Sequence, residues 1–426
     1  MPSIDLLATG IFALALIHTF SVKLFQQLAH HHPRHAGLLH LLGEIEVVFG
    51  FWAVVLVAAM AALHGADEAI AYAESRQYTE PLFVFVIMVV AASRPLLHAV
   101  QALVARLAAL APGRSAVTHV WLCLALVPLI GSLVTEPAAM TLAALMLAPR
   151  VFQGGMPEWL KYGALGVLFV NISIGGTLTS FAAPPVLMVA SVWQWDSAYM
   201  ASTFGWKCTV AVFINASVMT AMLRRHLVDD VEPGSTAGAT DGNAAPADRV
   251  PVSVICIHLG FLAAVVAFAH HPVIFMGLFL MFLGYTQAYE RYQSPLIIKE
   301  ALLVAFFLAG LVVLGGLQQW WLQPIVAGLA PTALFFGALG LTAITDNAAL
   351  TYLGAQIEGL ADAAKYMLVA GAVAGGGLTV IANAPNPAGV ALLRKGFADE
   401  SIGTIGLLLG ALAPTVVAAL MLLLLP

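Results

Sequence analysis

The chain has 426 residues, of which 61% are hydrophobic and 9% charged, against roughly 45–50% and about 25% in a typical soluble domain. With a mean hydropathy of +0.95 and apolar runs of about 20 residues recurring from end to end, this excludes a soluble enzyme and describes a polytopic α-helical membrane protein. A formal net charge of −5 with no basic stripe argues against nucleic acid as a partner. Cys123, Cys208 and Cys256 lie in apolar segments without C-x-x-C spacing and suggest neither a disulfide framework nor a zinc site.

The first apolar run starts almost at Met1, with neither a basic n-region nor a small-residue cleavage site, and is expected to be a retained span. Membrane segments are expected at about 4–27, 37–63, 82–108, 160–195 and 203–227, then at 251–269, 272–290, 299–318, 365–395 and 400–425. Two further stretches, 117–150 and 321–358, are too long for one span, and each is interrupted at its middle by Thr135-Glu136-Pro137 or Thr345-Asp346-Asn347. Polar backbone at membrane depth is tolerated only where it is buried in protein or lines a wet cavity, so both read as re-entrant hairpins.

The Lys and Arg residues test this layout. Lys23, Arg34, Arg106, Arg114, Arg150, Lys161, Arg224, Arg225, Arg249, Arg291, Lys299, Arg394 and Lys395 fall on one face, and only Arg76 and Lys365 on the other, with Arg94 and Lys207 inside spans. The first face is expected to be cytoplasmic and both termini outside. Residues 228–250, acidic and rich in Gly, Pro, Ser and Ala, read as a cytoplasmic linker between two halves, 1–227 and 251–426. The halves repeat: residues 129–147 match 340–356 and residues 175–185 match 375–385, in the same order. An odd number of crossings per half then makes the second half an inverted copy of the first around a midplane site.

Glu136 and Asp346 occupy matching positions at the two hairpin tips, and a carboxylate at membrane depth is costly enough to be a functional candidate. Alternatively, each acid lies near the headgroups and helps cap the following half-helix beside Thr135 or Thr345. Gly175-Gly176-Thr177-Leu178-Thr179-Ser180 and Gly375-Gly376-Gly377-Leu378-Thr379, followed by Pro184-Pro185 and Pro385-Asn386-Pro387, mark discontinuous helices. There the hydroxyls of Thr177, Thr179, Ser180 and Thr379 and the amide of Asn383 become available to a hard cation such as sodium, unless the Gly and Pro serve only packing. Acids on the half-helix N-termini would offset the positive dipole ends and disfavour an anion.

A buried carboxylate for which a proton and a cation compete supplies an exchange mechanism. Glu44 and Glu46 in the second span and Arg94 with His98 in the third are secondary candidates, either as a proton path or pH sensor between Glu44 and His98 or as scaffold pairing through Arg94. Asn171, Lys207 and Asn215 lie in apolar helices as ligands, as interhelical glue or as snorkelling side chains, with Asn171 foremost. His30-His31-His32-Pro33-Arg34-His35 can titrate near neutral pH, bind a transition metal or form a solvated loop.

At the hairpin tips and broken helices the sequence resembles the ion transporter superfamily, and within it the bacterial sodium/proton antiporters, over nearly the whole chain. The residues that carry the resemblance are Thr345-Asp346-Asn347-Ala348-Ala349-Leu350 and Ile381-Ala382-Asn383-Ala384-Pro385-Asn386-Pro387. Thr135-Glu136-Pro137-Ala138 departs from the pattern, with Glu-Pro in place of Asp-Asn. The resemblance implies about ten transmembrane helices plus two hairpins in inverted repeats, a mobile transport region and a homodimer through scaffold helices in the bacterial inner membrane. The expected cation-binding residues also include Thr135, Thr345, Asn347 and Asn386. The acids at both tips differ from the superfamily's dicarboxylate carriers, whose tips look like Ser-Asn-Thr. The expected function is exchange of protons for Na+ or Li+, without a cofactor, a catalytic centre or a metal other than the transported cation. An ion-coupled carrier of organic anions or oxyanions is the alternative, marked by basic or neutral polar residues around the tips. A third reading, an intramembrane metalloenzyme, requires a His/Glu cluster on facing helices.

Overall fold

The computed structural model describes residues 4–111, 115–153, 155–227 and 250–426. All but the last residue of the expected linker 228–250 lies outside them, as do Arg114 and Arg249. The regular secondary structure of the described residues is all helical. The first half contains α1 (Ile4–His31), α2 (Ala36–Leu42), α3 (Ile45–His64), α4 (Ala66–Glu74), α5 (Thr79–Ala91), α6 (Arg94–Leu110) and α7 (Ser115–Leu124). It continues with α8 (Leu126–Val134), α9 (Glu136–Val151), α10 (Glu158–Gly175), α11 (Pro184–Trp193), α12 (Ser197–Met200) and α13 (Trp206–Leu223). The second half contains α14 (Val252–Ala267), α15 (Pro272–Ala288), α16 (Ile298–Gly315), α17 (Gln319–Val326) and α18 (Pro331–Thr342). It ends with α19 (Asn347–Ala355), α20 (Asp362–Gly375), α21 (Asn386–Leu393) and α22 (Thr404–Leu424).

Among the described residues, 7 stretches are long and apolar enough to cross a bilayer. Six coincide with expected spans; the remaining one, Ser115–Val134, is the first arm of hairpin 1. The expected straight span 82–108 is broken: α5 and α6 meet at an angle of 61°. The cause is local. Pro95 in the first turn of α6 donates no hydrogen bond, and Ser93 is extended (φ −65, ψ 143), so the α5 ladder ends at Ala91. The helices α14 and α15, at 16 and 17 residues, are shorter than the segments expected there.

Two hydrophobic cores organise the chain. One collects α1, α3, α5, α14, α15 and α16 from both halves, and the other α7 to α10, α13, α20 and α22. Where helices cross most closely, glycine permits it. A Cβ on Gly166 would strike the backbone of Gly410, joining α10 to α22, and one on Gly310 would strike the backbone at Phe49 and Gly50, joining α16 to α3.

The arms of each hairpin pack on each other, and the second arms are exchanged: α9 packs on α21 of the other half, and α19 on α11. Val134 and Ala138 of hairpin 1, Ala348, Ala349 and Tyr352 of hairpin 2, and Leu187 and Met188 of α11 pack into the first core. The tips and breaks therefore sit on the seam between the two cores.

Candidate functional site

Hairpin 1 turns on one residue. Thr135 separates α8 from α9 with φ 87 and ψ 150, a region populated almost only by glycine and costing roughly 1–3 kcal/mol for other residues. This sharp turn places Glu136 in the first turn of α9 with no exposed surface. Asn383, in the second break, donates its Nδ2 to Glu136 Oε2 at 2.8 Å. Glu136 Oε1 has no protein partner, and it faces Gly176, where a Cβ would lie 2.6 Å from it. Thr135 Oγ1, Asn383 Oδ1 and Asn386 Oδ1 are likewise buried without partners. Asn386 is fixed by donation to Gly376 O (2.8 Å) and Thr379 O (2.9 Å).

Hairpin 2 turns more gradually, through residues 343–346. Asp346 is the N-cap of α19: its Oδ1 accepts from the amides of Ala348 (2.8 Å) and Ala349 (3.1 Å). Asn347 follows, fully buried, its amide nitrogen donating to Ala382 O at 3.1 Å and neither side-chain polar atom partnered. A Cβ on Gly376 would collide with Ser173 Oγ and lie 2.9 Å from Asn347 Nδ2. Glu136 thus stands over Gly176 as Asn347 stands over Gly376. The sequence match pairs Glu136 with Asp346; by helix position and by the glycine beneath, Glu136 corresponds to Asn347 and Asp346 to Thr135.

The first break is stitched to hairpin 1. Ser132 Oγ donates to Gly175 O at 2.6 Å and accepts from the Leu178 amide at 3.0 Å, and Thr179 Oγ1 donates to Ser132 O at 2.6 Å. Thr177 Oγ1 donates to Ile174 O at 2.7 Å, while Ser180 pairs with Ser197. Thr379 Oγ1 ties the second break to hairpin 2 through Ala343 O at 2.8 Å, and Thr345 Oγ1 donates to Leu341 O within its own arm. These hydroxyl protons are committed within the protein. Buried oxygens without partners remain on Thr135, Glu136, Thr342, Asn347, Asn383 and Asn386, a set dominated by hard acceptors suited to an alkali cation.

The family described as "Putative Na+/H+ antiporter" matches residues 3–425. The chain belongs to this family. Among solved structures, it is similar to the crystal structure of the Alcanivorax borkumensis YdaH transporter, at 14% identity and a TM-score of 0.40, covering 89% of this chain and 96% of that one. No curated protein matches it. The protein is a multi-pass membrane transporter of an antiporter family.

Outside the tips, the secondary candidates of this antiporter-family chain separate. Asn171 is a structural node: its Nδ2 donates to Leu124 O (2.8 Å) and Val212 O (3.3 Å), and its Oδ1 accepts from Asn215 at 3.0 Å, joining α10 to α7 and α13. Lys207 donates to Tyr366 Oη at 3.1 Å and lies over the same ring, in cation–π geometry. Arg94 is half-buried and His98 exposed on α6, which packs mainly on α7, α9 and α14. Glu44, at the N-cap of α3, belongs to a helix packed mainly on α1, α4 and α16, so no principal packing brings it to His98. His31, His32, Arg34 and His35 are exposed. Among the described residues no group of three His, Cys, Asp or Glu side chains is arranged to hold a metal.

One acid is more central than its sequence context suggests. Glu46, in the first turn of α3, lines a crevice together with Asp346 and Asn383. Its only sequence signal is a charge near the start of an apolar run; its approach to a hairpin some 300 residues away in the chain is a product of tertiary packing.

Proposed function

We propose that this protein exchanges protons for a monovalent cation, Na+ or Li+, by alternating access, with Glu136 as the principal exchanging carboxylate. The observation that carries this reading is the unpartnered Oε1 of a completely buried Glu136, whose other carboxylate oxygen accepts from Asn383. A carboxylate so placed holds either a proton or a dehydrated cation, and exclusion of one by the other is the exchange. Asn383 orients the carboxylate through its Nδ2. Gly176 leaves the space that Oε1 faces.

The N-terminal ends of α9 and α19, which carry the positive ends of their dipoles, are occupied by Glu136 and the Asp346 carboxylate. This favours a cation over an organic anion or oxyanion. The exchanged packing of second arms supports the inverted repeat of 1–227 and 251–426, and the seam between two cores supports motion of one core against the other. We assign the protein to the bacterial inner membrane, with both termini outside and the linker 228–250 cytoplasmic, as a homodimer through the first core.

The test is proton movement in vesicles of known orientation holding a pH gradient, on addition of Na+, Li+ or K+. Wild type is expected to collapse the gradient in a cation-specific way, and Glu136→Gln to abolish the response while remaining monodisperse. A wild-type response retained in Glu136→Gln, or no response to any cation, would overturn the proposal.

A further inference from the structure

Glu46 belongs to the first core and Asp346 to a hairpin tip on the seam, yet both open into one crevice walled by Val304, Phe307 and Pro387. Its volume is about 20 Å³, just above the roughly 10–15 Å³ that one water-sized sphere requires. It is large enough to hold one bare cation. The third polar group on its wall is Asn383, 1% exposed, whose Nδ2 is committed to Glu136 and whose Oδ1 has no protein partner. Two half-buried carboxylates facing one space repel unless a proton or cation stands between them. Asp346 Oδ1 is occupied by the helix amides, which leaves Oδ2 for the crevice.

We infer that Glu46, Asp346 and Asn383 Oδ1 form a second monovalent-cation position, separate from Glu136 and spanning the seam between α3 and hairpin 2. The inference rests on the proposed cation exchange for the identity of the ion. It adds a residue from the first core to the transport machinery and makes Asn383 the shared wall of the two positions. An ion held here ties the tip of hairpin 2 to α3.

The experiment is equilibrium binding of radioactive Na+ to the purified full-length protein in detergent. Wild type is expected to bind two ions per chain, Glu46→Gln one and Glu136→Gln one. Glu46→Asp keeps the charge on a shorter arm and is expected to retain both ions with one bound more weakly, which guards against loss through misfolding in the neutral variant. If wild type binds one ion that Glu136→Gln loses and Glu46→Gln keeps, the second position is overturned while the proposed function stands. If Glu46→Gln and Glu46→Asp both bind as wild type does, the inference falls in the same way. If wild type binds no Na+, both readings fall together.

Discussion

Thr135 holds a backbone conformation that a β-branched residue rarely adopts, with φ 87 and ψ 150. The strain turns the chain within one residue and drives Glu136 into the interior. Replacement by glycine relieves it: Thr135→Gly is expected to raise thermal stability by about 1 kcal/mol, after allowing for the greater unfolded-state freedom of glycine, while weakening Na+ binding through the lost hydroxyl. Unfolding by circular dichroism and Na+ titration check the two effects separately. Gly176→Ala makes the complementary point, because its Cβ would lie 2.6 Å from Glu136 Oε1; exchange is expected to fall with the fold intact, measured as cation-driven proton flux at matched protein content. Asn171→Ala is expected to cost about 1–3 kcal/mol, since Leu124 and Val212 lose a buried donor, with Na+ affinity unchanged. Asn171, Asn383 and Asn386 look alike as buried amides in apolar sequence; only the partners of Asn171 show that its amide serves helix packing. The offset that pairs Glu136 with Asn347 was equally hidden, because Thr135 turns in one residue where hairpin 2 uses four, residues 343–346.

The helices announce their breaks when polar or conformationally unusual residues interrupt a long apolar run. Hydrocarbon penalises unsatisfied backbone so strongly that such an interruption has few uses, and the hairpin tips and the Gly-rich breaks at 175–180 and 375–379 could be read from that rule. The 61° bend between α5 and α6 was less legible, because Ser93-Arg94-Pro95 is short and the apolar run resumes at once. Glycine composition also gives no warning of which positions are crossings. Gly310, whose Cβ would strike the backbone of α3, is expected to lose roughly 1–3 kcal/mol on substitution by alanine. Gly260 in α14 has nothing within 4 Å of its Cβ position and is expected to gain about 0.5–1 kcal/mol from the same change. Paired thermal-unfolding measurements on the two alanine variants test that contrast directly.

Across the whole molecule, two cavities reach the two breaks. One of about 400 Å³ meets Ser180 and Phe181 and is bordered by Glu80, Asp196 and His270; another of about 350 Å³ meets Thr345, Asp346 and Ile381. In the proposed topology the first opens outward, so Ser180→Cys in a Cys256→Ser background is expected to react with a membrane-impermeant maleimide added outside. Reaction from the inside alone would reverse the assigned orientation. Neither cavity was legible in the sequence, because each is bounded by segments far apart in the chain. The same long-range pairing imposes an order on biogenesis. Glu136 and the Asn383 amide that contacts it are 247 residues apart; at roughly 5–20 residues per second of synthesis, about 12–50 s separate their emergence from the ribosome. During that interval the acid has no amide partner, so hairpin 1 has reason to wait at the water interface and enter the protein interior only when the second half arrives. A nascent chain arrested before Asn383 would then leave the hairpin open to protease, and the ion site would be among the last parts of the protein to exist.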